Sequence, residues 1–380
     1  MDYSYLPFSA KQMKHKKEAW DGLAEKRPFG RAAIVFPGIK PDFHELEKEI
    51  LPADEIPLAG ASQRNHEWDR EIQWQLRHLH ICALSRYQDD TVPALSIPRP
   101  IYGQSQGITQ VFGCRLIPQA NENGLFYPVP GIQNPADVDC LKLVPLEQTM
   151  YYNSIEFAKY AVESTDGQLL VKNPVMTGPI DTANYVLGTM RLMEWIYDEP
   201  VALHKLLHII TEVIISAILR LQEVAHGKIC PETVSCVDRG YGLCSEVRHL
   251  LSADCVDEFE THYLKKISGA CGKYSFHSCG TWERTLETDM GDPNLMIVNF
   301  QTKEMDLKKV YEKTKGKLSI SFQPSFCLPE KYLWPDDESY YRHLIEIFPE
   351  PIPVEFRVGN IDIWQKIQKS TGGNLWKPSK

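Results

Sequence analysis

From about residue 168 onward, short runs rich in β-branched and apolar residues alternate with long amphipathic stretches, and this rhythm restricts the fold more than any other feature. The strand candidates are Leu169–Lys172, Thr233–Val237, Lys273–His277, Leu295–Asn299, Lys317–Phe322 and Pro353–Val358. Between them lie the helical candidates Asp181–Ile196, Pro200–His226, Ser252–Ser268, Thr281–Glu287, Asp306–Lys313 and Asp337–Phe348. Each helix must carry the chain back to the starting edge, so the strands are parallel, and this many units close on themselves. The spacing predicts an α/β fold, a (β/α)8 TIM barrel, and 380 residues suit one such barrel with insertions.

Residues 1–87 read as an N-terminal helical extension packed on the barrel, broken at Pro28, Pro37, Pro41 and Pro57. Its clearest helix is His66–Tyr87, amphipathic through Trp68, Ile72, Leu76, Leu79 and Leu84. Residues 88–380 are expected to form the barrel as a single compact unit. Its first part, 88–150, is rich in Pro and Gly, and Val92–Ile97 and Gln110–Gly113 read as strands and turns.

In a parallel barrel the loops after the strands share one face, where active sites collect. Asp238, His277, Cys279, Asn299, Cys327 and Asn360 each fall at or just after a strand candidate's C-terminal end, so they are expected to converge. His277-Ser278-Cys279-Gly280 carries the strongest chemistry. Residues i and i+2 of an extended segment point the same way, so imidazole and thiolate could reach one ion, with Gly280 turning the chain behind them. Zinc accepts nitrogen and sulfur donors tetrahedrally, but needs a third protein ligand; Cys327, beyond a later strand, is the best candidate. The bland alternative is a hydrogen-bonded His277 beside a core Cys279.

Asp238-Arg239-Gly240-Tyr241-Gly242 follows another strand candidate, which suggests a catalytic role for Asp238 alongside His277, or a mutual ion pair with Arg239. Asp181 stands where a helix N-cap is expected, and a cap at the mouth can also touch ligand. Asp181, Tyr241 and Asn299 are the expected substrate-binding residues. His78-x-His80 lies in a helical pattern, where i and i+2 do not share a face. His204 and His208 share a face, but lack the Glu of a zinc-protease motif. Cys236, Cys244 and Cys255 read as structural.

A net charge of −9 and a pI near 5.8 argue against nucleic acid or an anionic membrane as partner. Met1–Trp20 carries Lys11, Lys14, Lys16 and Lys17 without a continuous apolar core, so no signal peptide is expected. Ile209–Leu221, interrupted by Thr211, Glu212, Ser216 and Arg220, is expected not to span a bilayer. Ten dispersed cysteines suit reduced thiols, and the expected location is cytoplasmic.

Residues 88 to 365 resemble the uroporphyrinogen decarboxylase superfamily. The resemblance rests on Asp89-Asp90…Val92-Pro93, Val111-Phe112-Gly113-Cys114, Thr177-Gly178-Pro179-Ile180-Asp181, Met193-Glu194…Tyr197-Asp198-Glu199-Pro200 and His277-Ser278-Cys279-Gly280. It implies the (β/α)8 barrel again. True uroporphyrinogen decarboxylases carry an N-terminal Arg-Gln-Ala-Gly-Arg-type signature gripping propionates; Pro28-Phe29-Gly30-Arg31 is no substitute. His277 and Cys279 match the corrinoid-dependent methyltransferase branch instead, which holds zinc with His-x-Cys and a distant Cys. That cysteine usually lies near the last strand, but Val354–Asn360 contains none. Cys327, or a carboxylate such as Asp238 or Glu304, would replace it.

The resemblance implies a zinc-dependent methyltransferase. It would move a methyl group between a small donor (methyl ether, methanol or methylamine) or a thiol acceptor and a corrinoid (cobalamin) on a separate corrinoid protein. Superfamily barrels often pair, which implies a homodimer. Two alternatives stay open. One is a metal-free lyase acting on a carboxylated tetrapyrrole, and the other a catalytically degenerate barrel that binds a corrinoid protein or small ligand.

Overall fold

The computed structural model describes residues 6–35, 43–85, 89–119, 126–315, 317–324, 334–348 and 352–370. Its parallel strands occupy eight positions. The first two are β1 (Ala33–Val35) and β2 (Ala94–Ser96), followed by an antiparallel hairpin of β3 (Arg115–Pro118) and β4 (Phe126–Val129). The third position holds β5 (Leu170–Lys172) and β6 (Met176–Thr177); the fourth holds β7 (Ile229–Cys230) and β8 (Tyr241–Cys244). β9 (Tyr274–Ser278), β10 (Leu295–Gln301), β11 (Ser319–Gln323) and β12 (Val354–Arg357) complete the circuit. The parallel ladders run β2-β5-β7 and β6-β8-β9-β10-β11-β12-β1. The chain continuity from β5 to β6 and from β7 to β8 joins the two sheets into one barrel, as the alternation predicted.

The interruption between β5 and β6 falls at Asn173-Pro174. Proline has no N–H for the ladder, and the Asn173 side chain takes over: its Oδ1 accepts from Gly242 N at 2.9 Å. The other break is the seam between β1 and β2, which share no ladder among the described residues. Asp90 closes it. Asp90 N donates to Ile34 O at 2.7 Å, its Oδ2 accepts from Ile34 N at 2.9 Å, and Arg31 grips both carboxylate oxygens at 2.7 and 2.9 Å. Gln75, on the helix His66–Leu84, covers the free edge of β2 by pairing with both Ser96 N and Ser96 O.

Several local expectations differ from the structure. Asp181–Ile196, expected as one helix, is two, Pro179–Leu187 and Thr189–Asp198, divided at Gly188. Ala33–Val35 lies within the segment read as a helical extension, yet pairs in parallel with β12; three residues are too few to register as a strand in sequence. Thr233–Val237 is not a strand. Val234, Cys236 and Val237 join Ala19, Trp20 and Leu23 of the helix Ala10–Ala24 in a core at the strands' N-terminal end. The alternation of Thr233–Val237 reflects that plug, and the ladder resumes at Tyr241. Gln104–Phe112, part of which read as strand, is a 3-10 helix.

Pro200–Val224 is 25 residues long, and one 18-residue window averages a hydropathy of 1.7, so length and composition would let it cross a membrane. Here Leu203, Leu206, Leu207, Ile210, Ile214, Ile218 and Leu221 form one buried stripe at helical spacing. That stripe packs against the helices His262–Cys271 and Pro179–Leu187 in the barrel's outer layer.

Because Asp90 bridges the strands where a ladder is missing, Asp90→Ala leaves Arg31 without its carboxylate and the Ile34 N–H without its acceptor. Chemical denaturation is expected to show a loss of about 3 kcal/mol, against less than about 1 kcal/mol for Glu25→Ala, whose ion pair with Arg27 is exposed.

Candidate metal centre

β9 places His277 and, just past its end, Cys279 on the inward side of the barrel. The neighbouring strand β8 ends at Cys244, two residues before Glu246. His277 Nε2 lies 3.3 Å from Cys279 Sγ and 3.4 Å from Glu246 Oε1, and the donor atoms of all three residues fall within 4.8 Å of one another. The backbone tightens the group: Cys279 N donates to Glu246 Oε2 at 2.8 Å, and Gly280 N to Glu304 Oε2 at 2.6 Å. Gly280 has φ +72°, and a Cβ there would lie 2.9 Å from the His249 ring, so only glycine makes this turn without displacing a neighbour.

The protonation of His277 follows from its partners. Asn299 Nδ2 donates to Ser321 O at 3.2 Å and Ser321 Oγ at 2.9 Å, so its Oδ1 faces His277 Nδ1 at 2.6 Å and that nitrogen carries the proton. The lone pair is then on Nε2, pointing at a carboxylate oxygen and a sulfur. Electron-rich atoms so placed need a proton or a cation among them. Nitrogen, sulfur and oxygen donors in one cluster are a set that zinc accepts, and three protein ligands leave a fourth position open. The residues therefore fit the metal that the sequence implied.

Surrounding groups hold the donors in place. Gln301 Nε2 donates to Cys279 Sγ at 2.9 Å. Burial opposes the ionisation of Glu246, but a proton at His277 Nε2, which stands in for the cation when no metal is bound, and the Cys279 N–H outweigh it and hold its carboxyl below the usual glutamate range. Cys244, by contrast, is fully enclosed, and burial pushes its thiol well up, so it stays protonated. Beneath the turn after Glu246, the guanidinium of Arg248 is completely buried between the rings of Phe276 and Trp282, and reaches Asp289 at 3.0 Å and Glu260 at 3.5 Å.

The sequence-chosen residues divide by location. His277, Cys279 and Asn299 come together at the mouth. Asp181 lies behind Glu246, as the third residue of the helix Pro179–Leu187, whose N-cap is Gly178 rather than Asp181. Its Oδ1 accepts from Val247 N at 2.9 Å, its Oδ2 is buried without a partner, and burial raises its carboxyl to about 7. Asp238 and Tyr241 sit at the opposite end. Asp238 pairs with Arg239, which also grips Asp21 of the plugging helix, and Tyr241 opens β8 beside Tyr274, stacked at 5.8 Å. A strand over Thr233–Val237 predicts them at the mouth; with the strand at Tyr241–Cys244 they fall at its start, and Glu246 takes the position just past its end. Glu304 binds the Gly280 backbone, and Asn360 caps the helix Ile361–Ser370 through N–H groups of Asp362 and Ile363. Cys327 lies outside the described residues.

The fold and site together define a (β/α)8 barrel with a nitrogen, sulfur and carboxylate donor cluster at its C-terminal mouth. The model of the uroporphyrinogen decarboxylase (URO-D) family matches residues 106–321, and the chain belongs to that family. Among solved structures it is similar to a methyltransferase from Methanosarcina mazei, with a TM-score of 0.60 over 91% of this chain and 92% of that one, at 16% identity. That likeness is one of fold. A search of curated protein sequences finds no match.

Two outcomes follow from this geometry. Asn299→Leu removes the acceptor that fixes the His277 tautomer and is expected to weaken zinc binding about tenfold to a hundredfold, read by chelator competition. For Asp181 the folded carboxyl titrates at about 7, against an ordinary 3.8, so the folded state holds its proton more tightly. Wild type is therefore expected to lose stability relative to Asp181→Asn as pH rises from about 4 to 7, with a constant difference above that window, measured by urea denaturation across pH.

Proposed function

We propose that this protein is a zinc-dependent methyltransferase that exchanges a methyl group between a small donor or a thiol acceptor and a corrinoid carried by a separate protein. The convergence of Glu246, His277 and Cys279 on one point at the barrel mouth carries the reading. The similarity to a methyltransferase fold supports it. The proposed ligands are His277 through Nε2, Cys279 through Sγ and Glu246 through a carboxylate oxygen; Cys327 is kept as a further candidate. Bound zinc would supply Lewis acidity, lowering the pKa of a thiol acceptor or drawing charge from the heteroatom of a methyl donor.

The chain's own groups supply the rest. Asn299 orients the imidazole, and Gln301 hydrogen-bonds the Cys279 sulfur and limits its rotation. Glu246 contributes negative charge that moderates the electrophilicity of the site. Asp181, buried behind Glu246, accepts from Val247 N and holds the turn that carries Glu246. The donors are methyl ethers, methanol or methylamines. The proposed setting is cytoplasmic, with the barrel acting as a homodimer.

The deciding measurement is the metal content of purified protein by plasma mass spectrometry. Wild type is expected to hold near one zinc per chain, and Glu246→Ala, His277→Ala and Cys279→Ala to lose it while circular dichroism stays unchanged. Loss in Cys327→Ala as well would add that thiolate to the set. Failure of wild type to retain zinc offered under reducing conditions overturns the reading, and carbon dioxide release from a bound carboxylated tetrapyrrole would replace it with the lyase.

A further inference from the structure

The seam between β1 and β2 does more than interrupt the sheet. A cavity of about 490 Å³ is lined from both sides of it. On the outside stand Trp74, His78 and Leu79 of the helix His66–Leu84. On the inside stand Lys172 at the end of β5 and Arg357 at the end of β12. Leu170 belongs to the core inside the barrel, so Lys172, two residues on, points inward as well. None of Glu246, His277 and Cys279 lines this space.

The charges along the cavity do not cancel at its inner end. Lys16 is matched by Asp89 at 3.4 Å, and Glu232 by Arg99 at 3.4 Å. Glu71 accepts from the neutral Gln75 amide at 2.7 Å and keeps its negative charge, but on the outer helix, across the cavity from Lys172 and Arg357. Lys172 has no hydrogen-bond or ion-pair partner among the described residues. Arg357 spends Nη2 on the Thr233 carbonyl at 3.2 Å, and no described residue accepts from its Nη1. A guanidinium N–H left open in the same cavity as a second cation is complementary to an oxyanion. The outer wall offers the opposite character, an indole and an aliphatic side chain suited to an apolar body.

We infer that this cavity is a binding site for a small organic anion. Its carboxylate, sulfonate or phosphate faces Lys172 and Arg357, and its apolar portion lies against Trp74 and Leu79. The site is independent of the metal centre, and its test uses protein freed of metal by a chelator, so the two readings stand or fall separately.

The probes are 2-naphthoate, 2-naphthalenesulfonate and 2-naphthyl phosphate, with neutral 2-naphthamide as control, titrated by calorimetry in wild type and in Trp74→Ala, which is expected to bind the anions more weakly. At least one anion is expected to bind at one site per chain, and the tightest identifies the headgroup. Lys172→Met and Arg357→Met are each expected to weaken that anion by about tenfold or more, while Lys172→Arg keeps it within about threefold. Thermal melts report whether each variant folds, and Lys172→Arg preserves the test if a methionine variant does not. Equal affinity for the amide, unchanged anion affinity in Lys172→Met, or no binding by any probe would overturn the inference.

Discussion

The site depends on one chain of hydrogen bonds across the barrel interior. His277 Nδ1 donates to Asn299, Asn299 to Ser321 Oγ, and Ser321 Oγ to Glu355 Oε1 at 2.9 Å. The second oxygen of Glu355 accepts from the backbone of Ser235 at 3.0 Å and Cys236 at 2.7 Å. Glu355 is fully buried and acceptor-only when ionised, so its partners must donate, and the direction of every bond above it follows. The imidazole tautomer at the mouth is thus set by a carboxylate anchored to the plug at the other end.

The register of the sheet creates this chain. His277, Asn299, Ser321 and Glu355 are direct partners on four adjacent strands. A one-residue slip of any strand would turn its member outward and break the relay. The residues between them face the other way: Phe276, Phe300, Phe322 and Phe356 are fully buried, and Phe322 stacks on Phe356 at 5.3 Å. The same strands therefore use alternate positions for a polar interior that orients ligands and an aromatic layer that binds the outer helices. The apolar layer contributes most of the burial, and it holds the polar groups at fixed spacing.

Much of this was legible in sequence where the signal was local. His277 and Cys279 share a face by the period of a strand, and Gly280 marks the turn, so a short window contains the argument. The helices Pro200–Val224 and His66–Leu84 were legible because a buried stripe repeats at 3.6 residues over many turns. Glu246 was not, because it depends on where β8 lies. Thr233–Val237 alternates as well as any strand, but Glu355 captures the backbone N–H groups of Ser235 and Cys236, and the ladder resumes only at Tyr241. A strand over Thr233–Val237 would also carry Asp238 and Tyr241 to the mouth, whereas they stand at the opposite end.

The amino-acid sequence by itself determined the layer architecture, since hydrophobic period and strand–helix alternation admit few other packings. It also determined the pair of donors whose spacing is written in adjacent residues. Only the tertiary structure decided the carboxylate that completes the cluster, the tautomer of His277, and the cavity that brings Lys172 and Arg357 together. These depend on register and on closure between segments up to hundreds of residues apart. A periodicity reports which face a residue occupies, but not which residue stands opposite.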